Sequence, residues 1–354
     1  MIRAIACILV VLTHSITNYL DNIEVDLSLE GRYIIWVRFA ILCATPIFII
    51  LSETLISKNY PNKLPKGFFI KRVKYILIPY LLMGLIISYR DSEKNFSSFL
   101  EIAIEKIILG HWYGFFVIVI IQFYFLHWFM GKYLAKMNPI IPILTAFVIS
   151  FTHSFSFAHI MEYKTFIITY YPLSFRTNIL VWLFYFVVAY YLGRYYEEII
   201  DFLSNKVWIP VVAVLGSYLF MMFNIFERGY SMIASDRYDM LFYSVSVFFL
   251  LLIVIRKFSL RANMLIMISN FSYFIYLSHM VILPFYAGVS LGFSSNFFTY
   301  IAIMTFLTIA TSIGWAFLFY KNGATRLLTG KIKYLDRKDN RNLNPVSDGP
   351  EKVQ

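Results

Sequence analysis

Residues 2–20 read IRAIACILVVLTHSITNYL, an almost wholly apolar run in which Arg3 is the one residue with a fixed charge. At about 1.5 Å per residue, a helix of this length crosses most of a hydrocarbon core of about 30 Å. A secretory signal would have a shorter apolar stretch followed by a small-x-small cleavage site. This run has neither, so it reads as the first of several membrane helices. It starts abruptly at Met1, and a few upstream residues are expected to be missing.

Nine further apolar runs follow, at residues 34–56, 72–89, 112–131, 140–158, 178–196, 207–226, 240–256, 264–286 and 297–319. Across the 354 residues, 60% are hydrophobic and 14% charged, with 36 Phe and 27 Tyr, more apolar surface than a soluble domain can bury. The expected fold is all-α: a polytopic membrane protein of ten transmembrane helices in one bundle. The third and fifth runs carry Pro79 and Pro142, which membrane helices tolerate when neighbours satisfy the freed carbonyl. The fifth also carries His153 and three serines. We divide the chain into a transmembrane domain, residues 1–320, and a polar cytoplasmic tail, residues 321–354, with disorder expected beyond Gly330.

Lys and Arg set the orientation. With the N-terminus inside, the even-numbered connections, the first residues and the tail hold 22 of the 31 basic residues, leaving 9 outside. Both termini are therefore expected in the cytoplasm. The net charge of +11 then reflects cytoplasmic loops facing anionic lipid and calls for no nucleic acid. Cys7 and Cys43 fall inside spans, where cysteine behaves as a small apolar residue. There is no CxxC metal pair, no glycine-rich phosphate loop and no internal repeat, so an ATP-driven pump and a metal centre are not expected.

Within the first run, eleven steps at 100° return Arg3 and His14 to within about 20° of one another, roughly 16 Å apart along the axis. Ionisable groups inside a bilayer are costly and mark functional sites by default. His279, in FSYFIYLSHMVILP, lies at comparable depth in the ninth run, which runs the same way as the first. The two histidines are expected to meet in the outer half of the bundle. A neutral imidazole is the usual general base near pH 7, although a helix-bridging histidine or a proton-transport site would look the same in sequence.

In FFIKRVKYILIPY, Lys71, Arg72 and Lys74 gather at the cytoplasmic mouth of the third span. They suit the phosphates of a nucleotide-type donor such as coenzyme A, and they also suit lipid headgroups. Glu53, near the inner end of the second span, needs a partner; Arg3 or Arg72 at the same level would give a structural ion pair. Trp112 and Tyr113 mark an interface, as an aromatic belt or as a stacking platform for a sugar. His127, His153 and His159 look peripheral and receive no role.

Taken in order, these motifs resemble the acyltransferase-3 family of integral membrane acyltransferases. RAIACILVVLTH matches a family pattern of Arg or Lys, ten residues, then His. PIFIILSE, from Pro46 to Glu53, resembles PxFFxxSG with Glu53 in place of glycine. KRVKYILIPY has the layout of an RxxR element before IxPxY, with lysines at both arginine places, and YFIYLSH, from Tyr273 to His279, matches YxxYLxH. The stretches GHWYGFFVIVIIQFYF, TYYPLS and WLFYFVVAYYLGRYYE are similar to a branch that serves synthesis of the biofilm exopolysaccharide poly-N-acetylglucosamine.

The resemblance implies an O-acyltransferase of the bacterial cytoplasmic membrane. It would bind no permanent cofactor and would take acetyl or succinyl groups from a cytoplasmic acyl-CoA cosubstrate to a polysaccharide acceptor. His14, Arg3 and His279 would form the catalytic centre, with His14 as base or acyl carrier. Lys71, Arg72 and Lys74 would hold the donor, and Trp112, Tyr113 and Tyr276 the acceptor. A membrane glycosyltransferase of the same operon is the implied partner. The alternative is an exporter or flippase of the same glycan without acyl-transfer chemistry.

Overall fold

The computed structural model describes residues 1–26, 31–93, 95–258, 262–293, 295–323, 325–332 and 335. The spans are α1 (Ile2–Asn22), α2 and α3 (Arg32–Ile41, Ala44–Asn59), α4 and α5 (Phe68–Arg72, Ile78–Asp91) joined by a π turn at Val73–Leu77, α6 (Phe96–Ala103) and α7 (Phe116–Leu134). They continue through α8 (Ile140–His159), the short α9 (Met161–Tyr170), α10 (Ile179–Arg194), the short α11 (Tyr196–Asn205), α12 (Trp208–Phe226), α13 (Met240–Lys257), α14 (Asn263–Ile282), the short α15 (Ala287–Phe293) and α16 (Phe297–Lys321). Among the described residues there is no strand, and nine stretches are long and apolar enough to cross a membrane. The run at 72–89 is not one of those nine, yet it is helical without interruption from Phe68 to Asp91. The run at 140–158 is a full helix with Pro142 in its first turn, where the missing N–H leaves no bond unmade.

Two prolines sit beside irregular turns of the spans. Pro46 interrupts the second run, which is broken at Leu42 and Cys43 rather than continuous. The Ala40 carbonyl at the break takes the Tyr243 hydroxyl at 2.7 Å. Pro79 comes just after the π turn, where Tyr273 donates to the Ile76 carbonyl at 2.6 Å. Both loosened turns are thus held by tyrosines from neighbouring helices, the usual repair inside lipid.

Packing obeys membrane rules, in which close backbone approach and hydrogen bonds replace the hydrophobic drive between helices. A Cβ on Gly193 of α10 would lie 2.5 Å from the Thr54 carbonyl of α3, so those backbones touch. Ser57 donates to the Tyr190 carbonyl at 2.6 Å across the same seam. Helix α1 lies between α14 and α16. Cys7 faces Ser272 and, seven residues on, His14 faces His279, so α1 and α14 run parallel. Ser15 meets Thr305 at 3.1 Å and Asn18 meets Tyr300 at 2.6 Å, so α16 runs antiparallel. The start of α1 and the end of α16 therefore share one face of the bundle, here the terminal face; the opposite one is the distal face. The first residues of the expected tail are docked there, with Ile332 and Leu335 buried, while residues 336–354 lie outside the described residues.

Candidate functional site

The motif YFIYLSH places Tyr273, Tyr276 and His279 three residues apart, on one face of α14. Each has a defined partner. Tyr273 holds the π turn, Tyr276 donates to the Tyr113 carbonyl at 2.7 Å, and His279 Nδ1 lies 2.6 Å from the Tyr276 carbonyl. A carbonyl can only accept, so Nδ1 carries the proton and Nε2 is left as a bare acceptor. That Nε2 is buried and has no partner. The His14 ring sits beside it, centroid to centroid 5.0 Å, and is partly open where His279 is fully buried. The two histidines singled out from sequence are thus brought together, as expected.

Tyr113 completes this centre, its ring 5.2 Å from His279 and its hydroxyl donating to the Leu277 carbonyl at 2.6 Å. Trp112 is placed differently from an open stacking platform. It is buried, its indole N–H donates to Tyr80 at 3.1 Å, and a Cβ on Gly114 would lie 2.4 Å from its ring. Trp112 therefore wedges the turn that presents Tyr113.

Toward the terminal face, Arg3 and Arg72 approach the same place. The Arg72 guanidinium lies over Phe68 at 4.7 Å and over Tyr124 at 5.2 Å. Arg3 is exposed, with Tyr124 and Arg72 as its electrostatic neighbours. Lys74 points elsewhere, sharing the Tyr75 ring with Lys331 at 5.5 and 5.6 Å, and Lys71 is exposed at the surface. The π turn after Arg72 explains the division, because a widened turn shifts the angular positions of the residues beyond it.

Glu53 does not take Arg3 or Arg72 as its partner. It is fully buried, with Oε1 2.6 Å from Nδ1 of His127, while Oε2 has no partner. His127 is thus a core residue rather than a peripheral one. Its signal was available: Tyr124, His127 and Gly131 fall on one face of α7, and a Cβ on Gly131 would lie 3.8 Å from the His127 ring. With Glu53 held by His127, the two arginines face each other without a paired carboxylate, which favours an anionic ligand between them.

Sequence reasoning also missed the charges on the distal side of His14. Arg38 donates to Thr17 at 2.9 Å, one turn beyond His14 on α1. Arg38 and Arg176 are both electrostatic neighbours of His14. Arg176 lies on a 3-10 turn, Phe175–Thr177, tied to the turn before Trp112 by Ser174 N–H donating to the Leu109 carbonyl at 2.6 Å. Arg176 sits in a connection with no periodicity to read, and Arg38 on α2, in an apolar run where it received no role. The histidine pair thus stands between two arginine pairs. A neutral imidazole at such a place can accept a proton from a hydroxyl or carry an acyl group. Among the described residues no group of three His, Cys, Asp or Glu could hold a metal ion.

An acyltransferase domain of the Acyl_transf_3 type matches residues 1–319. The chain is 33% identical over 338 residues, 94% of its length and 95% of the relative's, to a protein of Staphylococcus aureus named as a probable poly-beta-1,6-N-acetyl-D-glucosamine export protein. It is 35% identical over 337 residues, 94% of both chains, to the Staphylococcus epidermidis protein of the same name. No solved structure matches. The apolar helices and these relatives make it a multi-pass bacterial membrane protein. With its first-helix Arg3 and His14, its YFIYLSH element meeting His14 in space, and a domain match over nine-tenths of its length, the chain belongs to the acyltransferase-3 family of integral membrane acyltransferases.

Proposed function

We propose that the protein is an O-acyltransferase that modifies an exopolysaccharide, poly-β-1,6-N-acetylglucosamine, with an acetyl or succinyl group from cytoplasmic acyl-CoA. The observation that carries this reading is the His14–His279 pair, 5.0 Å apart inside the bundle, with Arg3 and Arg72 on its terminal side. With both termini cytoplasmic, Arg3 and Arg72 hold the donor's phosphates and Lys71 and Lys74 add surface charge that draws it in. The acyl carbon reaches His14 from that side and the acceptor hydroxyl from the other.

His14 accepts the proton of the hydroxyl as its oxygen attacks the thioester carbonyl. The new ester C–O bond forms, the C–S bond breaks, and the proton leaves with the coenzyme A thiolate. The bare Nε2 of His279 receives the second hydrogen bond from the acceptor, or from protonated His14. Tyr113 and Tyr276 shape the wall against which the sugar ring lies.

The name of the staphylococcal relatives favours a second reading, export of the glycan. Mass spectrometry of ester-linked acyl groups, with the amount of glycan outside the cell, separates the two in cells carrying wild-type protein or His14→Ala. Loss of the ester with glycan still outside is expected for acyl transfer; intact ester with glycan retained inside would favour export.

A further inference from the structure

Beyond His14, on the distal side, lies a group of charges that the histidine mechanism does not use. Arg38 is fixed by its bond to Thr17, and its Nε is buried with no partner. Three residues separate Thr17 from His14, so that bond lies about 4.5 Å further along α1. Arg176 is exposed and neighbours both His14 and Tyr276. The third member is Asp236, in the connection between α12 and α13, 7% exposed and with Oδ1 lacking any partner.

The next residue, Arg237, directs its hydrogen bonds elsewhere. It is fully buried, with Nε and Nη2 on Asp239 at 2.8 and 2.6 Å and Nη1 on the carbonyls of Tyr230 and Met232 at 2.9 and 2.7 Å. It also stacks on Tyr230 at 4.0 Å. Asn224 donates to Asp239 at 3.0 Å, closing the network. Arg237 and Asp239 rivet the connection in place, and of the two cations near Asp236 the stronger influence is Arg176, ahead of Arg237. Burial pushes the Asp236 carboxyl above its ordinary range and Arg176 draws it back.

We propose that Arg38, Arg176 and Asp236 form an acceptor subsite above His14, which binds a neutral, hydroxyl-rich hexosamine unit of the glycan. The inference rests on the acyl-transfer reading and adds the residues that choose the acceptor. Its chemistry is that of a sugar hydroxyl, which donates one hydrogen bond and accepts others. The unpartnered Asp236 Oδ1 takes the donated proton, and the guanidiniums of Arg38 and Arg176 give to the oxygens. A ligand hydroxyl at that place gives this buried polar atom the partner it lacks.

Charge selects against an anion. Asp21 neighbours Arg38 and Asp236 neighbours Arg176, so each cation on this side already has a carboxyl group beside it. Among the described residues no carboxylate is paired with the arginines of the terminal side, and Glu53 is held by His127. The ligand expected here is therefore neutral, where the terminal side expects phosphates.

The test uses the full-length protein in nanodiscs and a β-1,6-linked N-acetylglucosamine pentasaccharide as probe. Arg176→Gln removes an exposed side chain and Asp236→Asn keeps the shape of a buried one, so at least one variant should retain the wild-type melting temperature. Each should weaken pentasaccharide binding about tenfold, with acyl-CoA affinity unchanged. A wild type that does not bind the pentasaccharide, or folded variants that bind it as the wild type does, would overturn the subsite. A wild type whose binding depends on Arg176 and Asp236, but which leaves the pentasaccharide unacylated, would support the subsite and remove the acyl-transfer reading instead.

Discussion

The two arginine pairs on either side of His14 have the same charge and opposite surroundings. At the terminal face Arg72 lies over the Tyr124 ring with Arg3 as a neighbour of both, and the Glu53 carboxylate is taken by His127. Arg38 and Arg176 stand on the distal side with Asp21 and Asp236 beside them. A guanidinium is always charged, so its ligand preference is set by what else is within reach. In the proposed function the terminal side takes the anionic donor and the distal side the neutral acceptor. Two substrates of unlike charge can then approach one histidine pair from opposite ends without competing.

The largest expected effect falls between the two sides. Replacing His14 by alanine should lower acyl transfer by about 10²–10⁴-fold, the usual contribution of a positioned base, measured as ester formed per minute by purified protein. An effect below tenfold would leave the two sides without a shared centre. Next comes the terminal side: Arg72→Gln should raise the KM for acyl-CoA about tenfold or more and leave acceptor affinity alone, and Arg72→Lys should restore only part of it, since a point charge replaces a fork. An equal loss of acceptor affinity would merge the sides into one. For stability, His127→Leu should cost about 3 kcal/mol by leaving the Glu53 carboxyl buried and unpaired, seen as a lower melting temperature in detergent. Restoration by a second change, Glu53→Leu, would identify that pair as structural.

The smallest effect is expected at the surface. Glu197 bridges Lys58 at 2.8 Å and Arg256 at 3.2 Å, and the Lys58 hydrogen bond holds its carboxyl below the ordinary range. A carboxyl lowered in this way contributes stability above its unfolded-state value, and that stability is lost as pH falls through the folded one. Because the group is well exposed, Glu197→Gln should cost less than about 1 kcal/mol, and high salt should remove most of that.

How far the sequence reaches differs between the same regions. The helices were legible because each is a long apolar run, and Arg3 with His14 because eleven steps of a helix return to one face. His279 was legible because its helix runs parallel to α1 and places it at matching depth. The break at Leu42 was announced by Pro46, a signal not weighed within an otherwise continuous apolar run. Glu53 was seen to need a partner, but which helix would supply it depends on packing between α3 and α7, and apolar faces do not encode that. Arg38, Arg176 and Asp236 come from α2 and two connections distant in sequence. Only the fold brings them above His14.

The central claim is that an acyl group passes from one side of His14 to an acceptor on the other. Its most direct test places purified protein in sealed liposomes, sorted by orientation, with labelled acyl-CoA on the terminal side and the β-1,6-linked pentasaccharide on the distal side. Label is expected on the pentasaccharide with wild-type protein and none above background with His14→Ala. Label transferred equally by both proteins, or saccharide that crosses the membrane unlabelled, would contradict the claim.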